Sequence, residues 1–270
     1  MIRRLPHKTW WLSICIMLLN IQGCVMPMTH DPEDVLTRSI SGLSGKDQFL
    51  FRGLAEIRTG ERQVLTKQLR FDGEVRQHKG VSMRMSRVQD EVPTTPQRWN
   101  PLRVLEEIRL ARKHVSRWEE GKTTLLAQSV EWGANTAKGE QKPTFSTDQT
   151  LPYFVQLHEE DAKRIFKQRI LDEYDSLIIP HQKVNQVKKK LTPTQITALE
   201  GKLNGAAQDY RKQLLSMLHS SQVSAEYIIW IDRRSQLPLR LEGVMQAHYQ
   251  DAGKLAAETI RTVAEFSQYR

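Results

Sequence analysis

The chain has 270 residues, 40 of them Lys or Arg against 31 Asp or Glu, a net charge of +9, and two cysteines. Two cysteines cannot build the disulfide framework of a small secreted scaffold, and basic charge alone attracts anionic surfaces without the specificity that a nucleic-acid reader needs, so no nucleic-acid partner is expected. The length admits one large domain or two small ones, and no low-complexity linker forces a division.

The first thirty residues predict export. Arg3, Arg4, His7 and Lys8 precede a mostly apolar run over 10–21, and Ile21-Gln22-Gly23-Cys24 follows. That run contains Asn20 and falls short of the roughly twenty apolar residues of a membrane-spanning helix, so it predicts a removable signal. The small Gly23 before Cys24, with branched Ile21 two positions earlier, resembles the lipobox of bacterial lipoproteins. The resemblance implies a signal peptide over 1–23 cut between Gly23 and Cys24, and a diacylglyceryl cysteine at Cys24 with further acylation, of the palmitate kind, at the new amino terminus. Cys15 would leave with the signal, so the processed chain would keep one cysteine, at its first residue. Loss of Arg3, Arg4 and Lys8 takes 40 basic residues to 37 against 31 acids, a net charge of +6. Residues 24–30 then form a lipidated tether of roughly 25 Å at full extension, which holds the folded part close to the extracytoplasmic face of the cell membrane. In a bacterium with two membranes, Val25 would not retain the protein at the inner one.

Residues 31–43 offer Asp31 as N-cap, Pro32 at the first helical position and acids in the first turn; Val35, Leu36, Ile40 and Leu43 recur on one side, predicting a helix packed on a core. The period then changes to two. Phe49, Phe51, Ala55 and Ile57, then Leu65, Leu69, Phe71 and Val75, then Val81, Met83 and Met85 alternate with polar neighbours across short turns, predicting antiparallel strands with one wet face. Pro93 and Pro96 interrupt the pattern, and Trp99-Asn100-Pro101-Leu102 predicts a helix to about 112, capped by Asn100. Strands are expected over 114–118 and 124–132, a loop over 133–150, and helices over 157–177 and 194–219. The lysine-rich stretch 181–190 between those helices is either a solvated connection or a contact with an anionic surface. Alternation returns at Val223, Ala225, Tyr227, Ile229 and Ile231, at Leu239, Leu241, Met245 and Ala247, and at Ile260, Thr262, Ala264 and Phe266. The sum is one α+β domain over 31–270, about eight strands and four helices, with the helices on a single face and a helical insertion at about 133–222.

Tests for chemistry are negative. Gly121-Lys122-Thr123 has Ser116 where a phosphate-binding loop requires glycine; His158-Glu159-Glu160 has Ala162 where a zinc-protease helix requires a second histidine; and Ser44 has Lys46 in place of the second glycine of a nucleophile elbow. The remaining histidines are scattered. No catalytic residue, metal site or cofactor is expected, and the chain is read as a non-enzyme.

The apolar sheet face has two readings: a core sealed by the helices, or the wall of an apolar cleft. Its candidate wall is Phe49 and Phe51 on the first strand, Leu69 and Phe71 on the second, Met83 and Met85 on the third, Tyr227 and Ile229, and Leu241 and Met245 on the closing strands. The order of helix, meander, interrupting helices and closing hairpin, with Tyr227-Ile228-Ile229-Trp230-Ile231-Asp232 leading to Leu237-Pro238, resembles the LolA/LolB-like superfamily of lipoprotein and lipid carriers. That resemblance implies a curved antiparallel half-barrel with helices on its concave face, and a lipid or acylated protein as ligand. The alternative is an envelope interaction or sensor module with a filled core and a protein partner.

Overall fold

The computed structural model describes residues 31–76, 80–87, 93–94, 100–119, 125–126, 147–178, 192–251 and 253–270, and Pro32–Arg270 form one compact unit. The expected signal peptide over 1–23 and the expected tether over 24–30, with Cys24, lie outside the described residues, as does the basic stretch 181–190.

Helix α1 (Pro32–Leu43) buries Val35, Leu36, Ile40 and Leu43, the four residues that the 3.6-residue period places on one side. Strands β1 (Gln48–Thr59), β2 (Val64–Arg76), β3 (Val81–Arg87) and the short β4 (Pro93–Thr94) form a meander. Helix α2 (Pro101–Leu110) starts as its sequence demands: the Asn100 side chain accepts from the backbone N–H of Arg103 at 2.7 Å, and Pro101 occupies a position whose N–H would be unpaired in any helix. Then come β5 (Lys113–Arg117), β6 (Thr150–Leu157), α3 (Glu159–Ile178), α4 (Pro193–Ser220), β7 (Gln222–Asp232), β8 (Pro238–Asp251) and β9 (Lys254–Ser267).

All the strands join one antiparallel sheet in the order β4-β3-β2-β1-β9-β8-β7-β6-β5. Two meanders therefore spread in opposite directions from a central seam, where the first and last strands pair from Leu50↔Ser267 to Thr59↔Glu258. The sheet is open, with β4 and β5 at its edges, neither closed nor strongly curled. The α+β class and the four helices stand; the half-barrel curvature implied by the resemblance is not reached.

One local expectation fails, over 124–132, and one element, at 150–157, lies where the alternation predicts none. Residues 150–157 form strand β6, which pairs β5 on one side and β7 on the other. Its run Thr-Leu-Pro-Tyr-Phe-Val-Gln-Leu lacks clean alternation because both faces are covered, and Pro152 is tolerated because it lies beyond the last residue paired with β5. Of the strand expected over 124–132, only Leu125 and Leu126 are described; they are helical and lie outside the sheet. They pack with Phe154, Ile228 and Val244 in a small cluster on the face opposite the main core. Their backbone N–H groups bond Glu226, at 2.8 Å for Leu125, and burial pushes that carboxyl up despite these bonds.

The main core joins one sheet face to all four helices, through Leu36 of α1, Leu105 of α2, Phe166 of α3 and Leu218 of α4. Helices α2 and α3 are clamped at their junction. Asp161 accepts from Arg164 Nη2 at 2.8 Å, from Arg112 Nε at 2.8 Å and from the Arg112 backbone N–H at 3.3 Å. The Arg164 bond, then those from Arg112, hold the Asp161 carboxyl at about 2 against the opposing effect of burial.

Candidate functional site: a corner cavity under α2 and α3

The register places the ten candidate positions on one face, the face that the helices cover. Phe71 pairs with Gly53, Gly53 with Ala264, Ala264 with Leu241 and Leu241 with Ile229, forming one row across five strands. Along the centre of that row the space is filled: Phe71, Ile229 and Leu241 are each 0% exposed. Phe49, Phe51, Met85, Tyr227 and Met245 are likewise buried, Met83 is half-buried, and Phe51 also borders a groove on the opposite face.

Aromatic rings fill the centre because glycines stand opposite them. Phe51 lies over its cross-strand partner Gly73, and Tyr227 over Gly243. A Cβ on Gly73 would sit 2.2 Å from Phe51 Cζ, and one on Gly243 would sit 2.3 Å from Tyr227 Cδ1. Such close approach is the usual reason for glycine inside a strand.

Open space remains at one corner, where β1, β2 and β9 pass under α2 and α3. A cavity of about 90 Å³ has Ala55, Ile57, Leu69 and Ile260 as its floor and Val104 and Ile170 on its helical wall. Leu69 is thus the one candidate wall residue that lines it. The volume is that of a few carbon atoms, well below the roughly 300 Å³ at which pockets for whole drug-sized ligands begin.

Charged side chains ring the mouth. Arg103 of α2 gives Nη1 to Asp172 at 2.7 Å and Nε to Glu107 at 3.0 Å, while Arg169 of α3 gives Nη2 to Glu107 at 2.5 Å. Lys67 of β2 stands 3.5 Å from Glu173 of α3. Arg169 also bonds the Tyr227 hydroxyl, whose ionisation burial strongly opposes, so the ring is tied to the core beneath it. Glu258 of β9 completes the lining; burial first, and the charge of Glu173 second, push its carboxyl up to about 7.

Sequence reasoning overlooked this ring. A signal was available: Lys67 follows Leu65 and precedes Leu69 in the apolar phase of β2, and Glu258 precedes Ile260 in that of β9, so each puts a charge where a core-facing residue is due.

A second concavity, of about 650 Å³, lies on the opposite face and is lined by Arg52, Asp72, Arg84 and Glu265 among others. Its charges largely answer one another: Arg52 pairs Glu265 at 2.9 Å, and Arg240 reaches the same carboxylate at 3.0 Å. Among the described residues no cluster of His, Cys, Asp and Glu is arranged to hold a metal ion, and no helix is long and apolar enough to cross a membrane.

No family model and no curated protein matches the chain. Among solved structures it is similar to one described as lipid–protein interactions in lipovitellin, at 8% identity and a TM-score of 0.30, over 83% of this chain and 25% of that one. It is also similar to the acyl-CoA thioesterase II TesB2 from Mycobacterium marinum, at 11% identity and a TM-score of 0.14, over 88% of this chain and 87% of that one. The chain spans about a quarter of the length of the lipovitellin chain, and neither score establishes a shared fold.

Proposed function

We propose that the protein is a non-enzymatic envelope lipoprotein, anchored by lipid on Cys24 at the extracytoplasmic face of a membrane, whose domain receives one apolar or amphiphilic chain at the corner cavity. The observation that carries the ligand part is the cavity's construction, an apolar floor of Ala55, Ile57, Leu69 and Ile260 beneath a mouth of charged side chains. Apolar atoms of a ligand gain by leaving water at the floor, and a polar head remains among the charges. At about 90 Å³ the cavity takes the end of a chain, so a lipid or acylated protein would enter by one tail or by a small shift of α3.

Two experiments test this. Labelled fatty acid fed to cells marks the wild type and leaves Cys24→Ser unlabelled and released from the membrane; equal labelling of both ends the lipoprotein reading. For the ligand, full-length protein purified from membranes is extracted and the extract analysed by mass spectrometry. A stoichiometric amphiphile is expected in the wild type and not in Ala55→Phe, which fills the cavity with a ring.

The reading of the fold as an interaction module is favoured by a different observation, the sealed row Phe71, Leu241 and Ile229, which leaves no continuous cleft along the sheet. A wild-type extract free of any amphiphile, together with a protein partner captured by crosslinking in cells, selects it.

A further inference from the structure

We infer that the corner cavity selects an amphiphile with an ammonium-type head, its nitrogen bonded to the Glu258 carboxylate next to Glu173 and its apolar stem on the floor formed by Ala55 and Ile260. This rests on the reading of the cavity as a ligand site.

The inference follows from the charges that face Glu258 from each neighbouring element. From α2, Arg103 is engaged by Asp172 and Glu107; from α3, Arg169 is engaged by Glu107. From β2, Lys67 approaches Glu173 at 3.5 Å, longer than the 2.7 to 2.9 Å of a tight charge-assisted bond. From β1 come Ala55, Ile57 and Thr59, the last the cross-strand partner of Glu258, and from β8 comes its other partner, Ala247; none carries a charge, and Tyr249 lies two residues beyond Ala247 on the same face. The cations Lys67, Arg103 and Arg169 therefore stand against the carboxyls of Glu107, Asp172, Glu173 and Glu258, an excess of one negative charge when all are ionised. No ion pair or hydrogen bond engages Glu258 among the described residues, and its close electrostatic neighbour is another carboxylate, Glu173.

A carboxylate head in this mouth would add a third negative group beside Glu173 and Glu258. An ammonium supplies three donors and the missing positive charge. The elevated pKa of Glu258, about 7, is what a carboxyl shows when the cation that would offset its burial is absent. Binding an ammonium reverses the balance: Glu258 ionises and gives its proton to solvent, so binding strengthens as pH rises through neutrality.

Calorimetric titration of the full-length protein with octylammonium, octanol and octanoate, at pH 6 and pH 8, tests the assignment with probes of one chain length. Octylammonium should bind about tenfold more tightly than octanoate at pH 8, the worth of roughly one favourable charge contact, with the preference shrinking at pH 6. Near pH 7, titration in buffers of different ionisation enthalpy should detect proton release on octylammonium binding. Glu258→Gln should lose both the preference and the proton release, with a cooperative thermal unfolding transition showing that the variant is folded. Octanol or octanoate binding as tightly as octylammonium, or a preference that survives Glu258→Gln, overturns the ammonium assignment and leaves the cavity as an apolar site. Failure of all three probes to bind the wild type overturns the cavity reading itself.

Discussion

The centre and the corner of the covered sheet face are built by the same alternation and differ in what closes them. Along the centre, Phe71, Leu241 and Ile229 lie in one row, and rings fold over glycines on adjacent strands, so no space is left. At the corner, small Ala55 stands opposite Leu69, and the helices above bring Arg103, Arg169 and Glu173, whose charged ends are held in ion pairs at the mouth instead of filling the floor. Period two thus decides which face a side chain takes. Whether that face is filled depends on side-chain size across the strands and on the chemistry of the cover.

The largest expected effect breaks the centre. Phe71→Ala should cost about 3 to 5 kcal/mol in a urea unfolding titration, since a wholly buried ring leaves a cavity that its neighbours fill only in part. A loss below about 1 kcal/mol would mean that the centre is not close-packed.

At the corner the sharper probe is pH. Folded Glu258 keeps its proton up to about 7, whereas the unfolded chain releases it near 4.5, so between those values the folded state binds more protons. Stability should therefore fall as pH rises from 4.5 to about 7, by up to about 3 kcal/mol, and level off above. Unfolding free energies measured across this range should show the slope in the wild type and its absence in Glu258→Gln. Asp161 acts with the opposite sign: its depressed carboxyl contributes stability above 3.8 that is lost as pH falls toward 2.

A smaller effect tests the ring-over-glycine packing. Gly73→Ala places a Cβ 2.2 Å from Phe51 Cζ and should cost about 1 to 3 kcal/mol by overpacking, read as a lower melting temperature. The smallest effect compares the two regions directly. Ala264→Val, in the filled row beside Leu241, should also be destabilising by about 1 to 3 kcal/mol, while Ala55→Val, facing open space, should change stability by less than about 0.5 kcal/mol. Equal losses at the two alanines would erase the distinction between centre and corner.

Much of the fold was legible. The start of α2 at Asn100-Pro101 is a local capping problem with a local answer, and the buried side of α1 follows from helical period alone. Strand β6 was illegible because burial on both faces removes alternation, and its proline argues against a strand until the reach of β5 is known. The ten candidate wall positions share one face and lie mostly in the sealed core; Leu69 alone among them lines the cavity. Lys67 and Glu258 carried a usable sign, a charge in an apolar phase, but nothing near them in the chain tells what they face.

The sequence by itself determined the class of the domain, the ends of several elements and the face each strand residue takes, because these depend on residues within a few positions of one another. Tertiary structure alone decided that β1 pairs with β9, that the sheet stays open, and that Glu258 meets Glu173 beneath α2 and α3. Those outcomes join segments far apart in the chain, and the free energy that selects them comes from packing and desolvation across the whole core, which no local pattern encodes.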